Sequence, residues 1–276
     1  MALEDRLKQI HTRDGSPIQW LRKRVGFERF LARLQALEDS PWVLKGAFAL
    51  DLRFGRRART TRDLDLGIGA PLAGTRRPEP TEIGNLLREG AGHALPDFFA
   101  FAVGEADVIL QEPTAQAYRF TVRASLADRP FDDFRVDVGT GLPTVAPIEE
   151  IPESDTLAFA GITPTRFRAV SLAQHFAEKV HALTFPWKDR ENTRVKDLLD
   201  LALILKMRPP DPGSARSAVE AVFNRRDTHP LPLTIPDPPP SWSVGYSSTA
   251  AELGFSVVNM DEAVELLRTY WVRLFP

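Results

Sequence analysis

Two acidic residues separated by one apolar residue, Asp63-Leu64-Asp65, are the clearest chemical signal in the sequence. The run from Leu64 to Ile68 is punctuated by Gly67 and Gly69 and has the apolar character of a short strand. Side chains alternate along a strand, so Asp63 and Asp65 share one face while Leu64 and Leu66 enter the core. Two carboxylates held side by side repel unless a cation lies between them. A hard divalent ion with oxygen ligands suits that place, and Mg2+ needs only one or two protein carboxylates when triphosphate oxygens supply the rest. The competing reading is a solvated strand edge, since Asp-Leu-Asp is a common tripeptide. A third carboxylate, Asp137, lies in Phe134-Arg135-Val136-Asp137-Val138, whose strict alternation puts it on the face opposite the three apolar side chains. It is a third metal ligand, a base, or an ordinary polar residue of that face.

The elements that must position these groups can be followed along the chain. Ser16 with Pro17 opens a helix reaching Leu37, with Leu21, Val25, Phe30, Leu34 and Leu37 inward. Trp42-Val43-Leu44 leads into Lys45-Gly46-Ala47, a helix or turn. The basic run from Arg53 to Arg62 is a solvated loop or, being next to the acidic pair, a phosphate-binding one, because Arg pairs bidentately with phosphate oxygens. Residues 71–80 read as a loop and Thr81 to Leu95 as a helix. Three strand-like runs follow, Phe98 to Val103, Asp107 to Gln111 and Tyr118 to Ala124.

Prolines and acidic residues between 143 and 164 break the pattern, so the chain divides into an α/β domain over 1–150 and a mainly helical domain over 151–276. Ser171 and Gln174 form a capping-box signature for a helix to Phe185. Its Lys179 lies at the edge of the apolar stripe, where snorkelling is the commoner role. Residues 188–192 read as a polar loop. The helix from Arg194 to Leu205 carries Asp197 and Asp200 one turn apart, with Lys196 and Asp200 spaced as a surface pair. Ser214 to Arg226 is another helix. His229 to Pro240 is extended, with its leucines packed on the helices, and Asp261 caps the last helix.

Composition sets the outer limits. The chain has 276 residues, 43% hydrophobic and 26% charged, enough apolar mass for one large or two packed domains. A net charge of −2 argues against wholesale attraction to nucleic acid but leaves room for a local basic groove. There is no cysteine, which excludes disulfides, thiolate zinc sites and a cysteine nucleophile. No apolar run approaches the about 20 residues of a membrane span, and the first residues lack a signal peptide's apolar core. The expected location is the cytoplasm, with no membrane partner.

Taken together, the motifs resemble the AbiEii/MenT nucleotidyltransferase-like toxins of type IV toxin–antitoxin systems. The matching pieces are Leu44-Lys45-Gly46, Arg59-Thr60-Thr61-Arg62-Asp63-Leu64-Asp65, Phe134-Arg135-Val136-Asp137-Val138 and Glu178-Lys179-Val180-His181-Ala182-Leu183. Arg194-Val195-Lys196-Asp197-Leu198-Leu199-Asp200 and Thr228-His229-Pro230-Leu231-Pro232, with Trp242 and Tyr246 beyond, complete them. One departure stands out. The wider polymerase-beta-like superfamily has Gly-Ser, and this family often Gly-Gly-Thr, where this chain has Gly46-Ala47-Phe48.

The resemblance implies a polymerase-beta-like α/β domain with a mixed sheet, followed by the helical domain. It also implies nucleotidyl transfer from a nucleoside triphosphate with Mg2+ as cofactor. Asp63 and Asp65 would hold the metal, and Asp137 would be a third ligand or base. Lys45, Gly46, Arg62, Lys179 and Arg194 would contact the nucleotide, with Lys179 neutralising the leaving pyrophosphate. Asp197 would steady the site or orient the attacking hydroxyl. In mycobacterial members, pyrimidine nucleotides are added to the 3′ end of tRNA, so tRNA is the expected acceptor and a cognate antitoxin the expected partner. Thr61 matches a position phosphorylated in some members, which makes the antitoxin a candidate kinase. Other readings are transfer to a protein or small molecule, a nucleotide-binding module without turnover, and a metal-dependent nuclease.

Overall fold

A computed structural model describes residues 3–68, 78–111, 116–140, 147–187 and 191–276. Most of the loop read at 71–80, part of the polar loop read at 188–192, Gly69, and residues 141–146 near the expected boundary lie outside the described residues. The chain divides into two compact units, Met1–Arg53 with Thr60–Thr144 and Ile148–Ala169, and Phe54–Arg59 with Val145–Pro147 and Val170–Pro276.

The first unit is a mixed α/β unit. Helices α1 (Leu3–Asp14) and α2 (Ile18–Leu34) precede strand β1 (Trp42–Leu44), helix α3 (Gly46–Phe54), strand β2 (Asp63–Ile68) and helix α4 (Pro80–Ala91). Five strands follow: β3 (Phe99–Gln111), β4 (Gln116–Leu126), β5 (Arg129–Thr140), β6 (Ile148–Pro152) and β7 (Arg166–Val170). The sheet order is β3-β4-β5-β2-β1-β7-β6. Parallel pairing of β2 with β5 and of β1 with β7 sits among antiparallel pairs, as a mixed sheet requires. Leu64, Leu66, Phe134, Val136 and Val138 are all buried, as their alternation predicts.

Helix α2 backs the sheet. Phe27 packs edge-to-face on Phe48 and on Phe134, each with ring centres 5.0 Å apart, joining α2 to α3 and β5. The helix ends at Leu34, so Leu37 falls outside it and is exposed. Its first turn is set by Pro17 at the N-cap, with no side-chain cap from Ser16. The two runs read as separate strands near Phe98 and Asp107 are one strand, β3, whose pairing with β4 shifts register between Val103 and Ala106. The sheet unit also runs on through β6 and β7 to Ala169, beyond the expected end at residue 150.

Behind the sheet lies a buried ionic network. Arg29 donates to Asp97 at 2.7 Å and to Glu153 at 2.9 Å, and Arg33 adds a bond to the Phe99 carbonyl and a bidentate clasp on Asp97. Burial works against the Asp97 charge, yet bonds from Arg33 and Arg29 hold its pKa below the usual carboxylate value.

The second unit is helical: α5 (Leu172–Thr184), α6 (Val195–Met207), α7 (Pro212–Arg226), α8 (Trp242–Glu252) and α9 (Met260–Leu274). Ser171 caps α5 by accepting from the Gln174 amide, while the Gln174 side chain bonds Glu178 instead of completing the box. Asn259, not Asp261, caps α9: its side chain accepts from the Asp261 amide. In the Pro-rich segment Ile235 is the buried residue, its carbonyl held by Arg268, whereas Leu233 is 95% exposed against expectation. Among the described residues no helix is long and apolar enough to cross a membrane.

Replacing Asp97 with Ala leaves the buried Arg33 without a carboxylate partner and Arg29 with Glu153 alone, and urea unfolding at neutral pH should show a loss of about 3–5 kcal/mol. A depressed folded-state pKa stabilises above the unfolded value and is lost as pH falls through the folded one. The gap between wild type and variant should therefore close below about pH 4.

Candidate active site

Strand pairing assembles the acidic centre in one row. Asp65 on β2 lies directly opposite Asp137 on β5, and Asp137 lies directly opposite Arg119 on β4. On the other side of β2, the Lys45 amide donates to the Asp65 carbonyl at 2.9 Å. The row therefore runs Asp65, Asp137, Arg119 across three neighbouring strands, with Lys45 just past the end of β1 on one side and Asp63 two residues along β2 on the same face.

Each end of the row has a physical reason for its residue. Gly46 has φ +64°, a region that L side chains rarely adopt. A Cβ there would lie 1.8 Å from Asp65 Oδ2, so only glycine lets the first turn of α3 come this close to the carboxylate. A helix N-terminus favours negative charge, which suits both Asp65 and a phosphate. Ala47, the departure from the resembling family's motif, is buried in that turn.

At the far end, Arg119 forks onto Asp137, Nε to Oδ1 at 2.8 Å and Nη2 to Oδ2 at 2.7 Å. The same Nη2 is 3.8 Å from Asp63 Oδ2. Hydrogen bonding to Asp137, then the charges of Asp137, Asp63 and Asp65, raise the Arg119 pKa further above its ordinary value.

Asp63 Oδ1 is buried, and among the described residues it has no hydrogen-bond partner. A buried acceptor left in this state costs about 1–3 kcal/mol, so the position suits a cation ligand. The donor set, oxygens of Asp63 and Asp65 beside a helix N-terminus, fits a hard divalent ion that also binds phosphate. No group of three or more His, Asp or Glu residues with metal-holding geometry occurs among the described residues. Asp137 was expected as a third metal ligand or a base, and its two oxygens accept the two hydrogen bonds of the Arg119 fork. Thr61 Oγ1 donates to the Asp63 carbonyl at 3.1 Å, and Arg62 is exposed at the entry to β2.

The helical unit holds a second charged cluster. Lys179 is 7% exposed and its ammonium lies 2.9 Å from Asp197 and 2.7 Å from Asp200. Arg59 closes on Asp200 at 3.0 Å, and Arg194 lies 3.6 Å from Asp197. Burial opposes the Lys179 charge, but Asp197 and Asp200 outweigh it and raise its pKa. Burial likewise opposes the Asp197 charge, and Lys179 reverses this and lowers its pKa. Lys179 is thus no snorkelling residue. Asp200, spaced for a surface pair with Lys196, is 1% exposed and serves Lys179 and Arg59.

The basic run is divided. Arg53 bonds Glu149 at 2.9 Å, Arg59 is taken by Asp200, and Arg57 Nη1 approaches Met207 Sδ at 3.2 Å. Arg56 and Arg62 are exposed. Part of the run is therefore taken up by ion pairs within the protein. Arg119 was not singled out from the sequence, and Arg59 and Asp200 were named there only within a motif and as a surface pair. The one available signal was that Arg119 alternates with the buried Tyr118 and Phe120 on the polar face of its strand.

Comparison with known proteins supplies the family. The family model described as "Nucleotidyl transferase AbiEii toxin, Type IV TA system" matches residues 29–266. Among solved structures, MenT4, the nucleotidyltransferase toxin Rv2826c from Mycobacterium tuberculosis H37Rv, is similar in fold. Its TM-score is 0.56 at 18% identity, over 98% of this chain and 97% of that one. JHP933 from Helicobacter pylori is similar with a TM-score of 0.48 at 16% identity, over 93% of this chain and 92% of that one. No curated protein sequence matches the chain. The family model spans both charged clusters, and the chain belongs to the AbiEii nucleotidyl transferase toxins of type IV toxin–antitoxin systems.

Proposed function

We propose that this toxin transfers a pyrimidine nucleotide from a nucleoside triphosphate to the 3′ end of tRNA in the cytoplasm, with Mg2+ as cofactor, and so blocks translation. The observation that carries the reading is the buried, unbonded Asp63 Oδ1 beside Asp65, at the helix N-terminus that Gly46 opens. Asp63 and Asp65 would hold the metal. When bound, Mg2+ supplies charge stabilisation to the triphosphate during in-line displacement. The tRNA acceptor and the pyrimidine preference come from the family resemblance.

The chain's own residues divide the remaining work. The first turn of α3, with Lys45 and Gly46, offers backbone N–H groups and positive charge to the phosphates. Arg62, exposed at the entry to β2, is a second phosphate contact. In the transfer, the acceptor's 3′ oxygen forms a bond to the α-phosphorus as the bond to pyrophosphate breaks, and the hydroxyl proton passes to a base. Lys179 has its charge matched by Asp197 and Asp200. We assign it the holding of α5 against α6 and the orientation of Asp197, in place of direct neutralisation of pyrophosphate. Arg194, 5.9 Å from the Trp187 ring centre, remains partly exposed for a nucleotide contact.

Incubation of the purified protein with total tRNA and each α-32P-labelled triphosphate in turn should label tRNA, most strongly from CTP or UTP. Asp65→Asn should lower that labelling at least about a hundredfold while the thermal melt is kept. Label on protein or on a small molecule, or undiminished labelling by the variant, contradicts the proposal.

A type IV toxin has a cognate antitoxin, and we propose that this one acts as a kinase on Thr61. Phosphate there would add about −2 charge next to Asp63 and repel both metal and triphosphate. Mass spectrometry of toxin produced together with its antitoxin should find Thr61 phosphorylated. Unmodified Thr61 in cells whose growth has recovered rules this mode out.

A further inference from the structure

We propose that Arg119 is a positioning residue that withholds Asp137 from the divalent cation, so that Asp63 and Asp65 are the protein's metal ligands. The inference rests on the proposed metal-dependent reaction and concerns the same centre.

The argument starts from register. Asp65, Asp137 and Arg119 face each other across β2, β5 and β4. Neighbouring strands are about 4.8 Å apart, so Asp137 is as close to the Asp65 position as it is to Arg119. By placement alone Asp137 could serve a cation shared with Asp65. Its carboxylate instead spends both oxygens on the Arg119 fork, at 2.8 and 2.7 Å. A bidentate guanidinium–carboxylate pair is strong and geometrically fixed, and it turns the Asp137 carboxylate and its charge toward Arg119. Asp63 is placed differently. Arg119 Nη2 stops 3.8 Å from its Oδ2, beyond hydrogen-bond reach, and Oδ1 stays buried without a donor. One guanidinium therefore sorts two carboxylates: it satisfies Asp137 and leaves Asp63 an unmet acceptor. It does so without neutralising the centre, because a single positive charge does not offset three carboxylates.

Loss of Arg119 has two separable consequences. Removing a nearby positive charge strengthens cation binding in general. Freeing Asp137 adds a ligand, and only this second effect remains when Arg119 is replaced by Lys, which keeps the charge and loses the fork.

The test is Mn2+ binding to the full chain without nucleotide, followed by the electron paramagnetic resonance signal of free Mn2+. Arg119→Met should tighten binding at least about tenfold or add a second bound ion, and adding Asp137→Asn to that variant should lose the gain. Arg119→Lys, which keeps the charge but lacks the fork, should fall between wild type and Arg119→Met, and it carries the test if the Met variant does not fold. No tightening in a folded Arg119 variant overturns the inference. A double variant as tight as Arg119→Met also overturns it, since Asp137 then contributes nothing to the gain. Asp65→Asn should abolish Mn2+ binding. If it does not, the metal-dependent reading fails, and that failure is distinct from one in which Asp65 matters and Arg119 does not.

Discussion

Like charges on one face of two parallel strands are the constraint from which the first unit can be understood. Asp63 and Asp65 on β2 and Asp137 on β5 point the same way within neighbouring registers. In a partly desolvated place such a group is expensive unless each carboxylate is answered. Asp137 is answered by Arg119 and Asp65 by the helix end that Gly46 brings close, while Asp63 keeps an oxygen unanswered. Holding the arrangement needs a stiff support. The aromatic contacts of Phe27 with Phe48 and Phe134 fix α2, α3 and β5 together, and the Arg29, Arg33, Asp97 and Glu153 network anchors α2 from behind.

In the helical unit the problem is inverted, with a buried cation needing anions. Lys179 could not remain charged at 7% exposure without Asp197 and Asp200 from the facing helix. Arg59 then adds a second cation to Asp200, so the cluster is a closed network in which each member depends on the others. Such networks specify how two helices meet more than they stabilise the meeting. That is a suitable property for an element that must present Asp197 in a fixed orientation.

The sequence was legible wherever a pattern is local. Alternation placed Asp63 and Asp65 on one face of β2 and Asp137 on the polar face of β5, and the strand pairing that joins them is a finding of the structure. It was not legible where the partner lies far along the chain. Arg119 could not be linked to Asp137 because the pairing register of β4 on β5 is written in neither strand. Asp200 was assigned to Lys196 by spacing, whereas burial and a partner from α5 decide its role. The basic run failed for the same reason: counting its arginines does not reveal that Glu149 and Asp200 claim two of them. Caps were misplaced by a residue or two, Ser16 for Pro17 and Asp261 for Asn259, since neighbouring cap-forming residues compete and backbone geometry chooses. The family motifs named Lys179 and Asp197 as site residues, but not the ion pairs that hold them.

The central claim is that the Asp63 and Asp65 carboxylates together hold the metal of a bound triphosphate. A crystal structure with Mn2+ and a triphosphate whose α–β bridge resists cleavage tests it most directly. The account predicts an anomalous Mn2+ peak within about 2.0–2.3 Å of oxygens from both aspartates, with phosphate oxygens completing its shell. A peak bound elsewhere, or a triphosphate seated without either carboxylate near its metal, would contradict it.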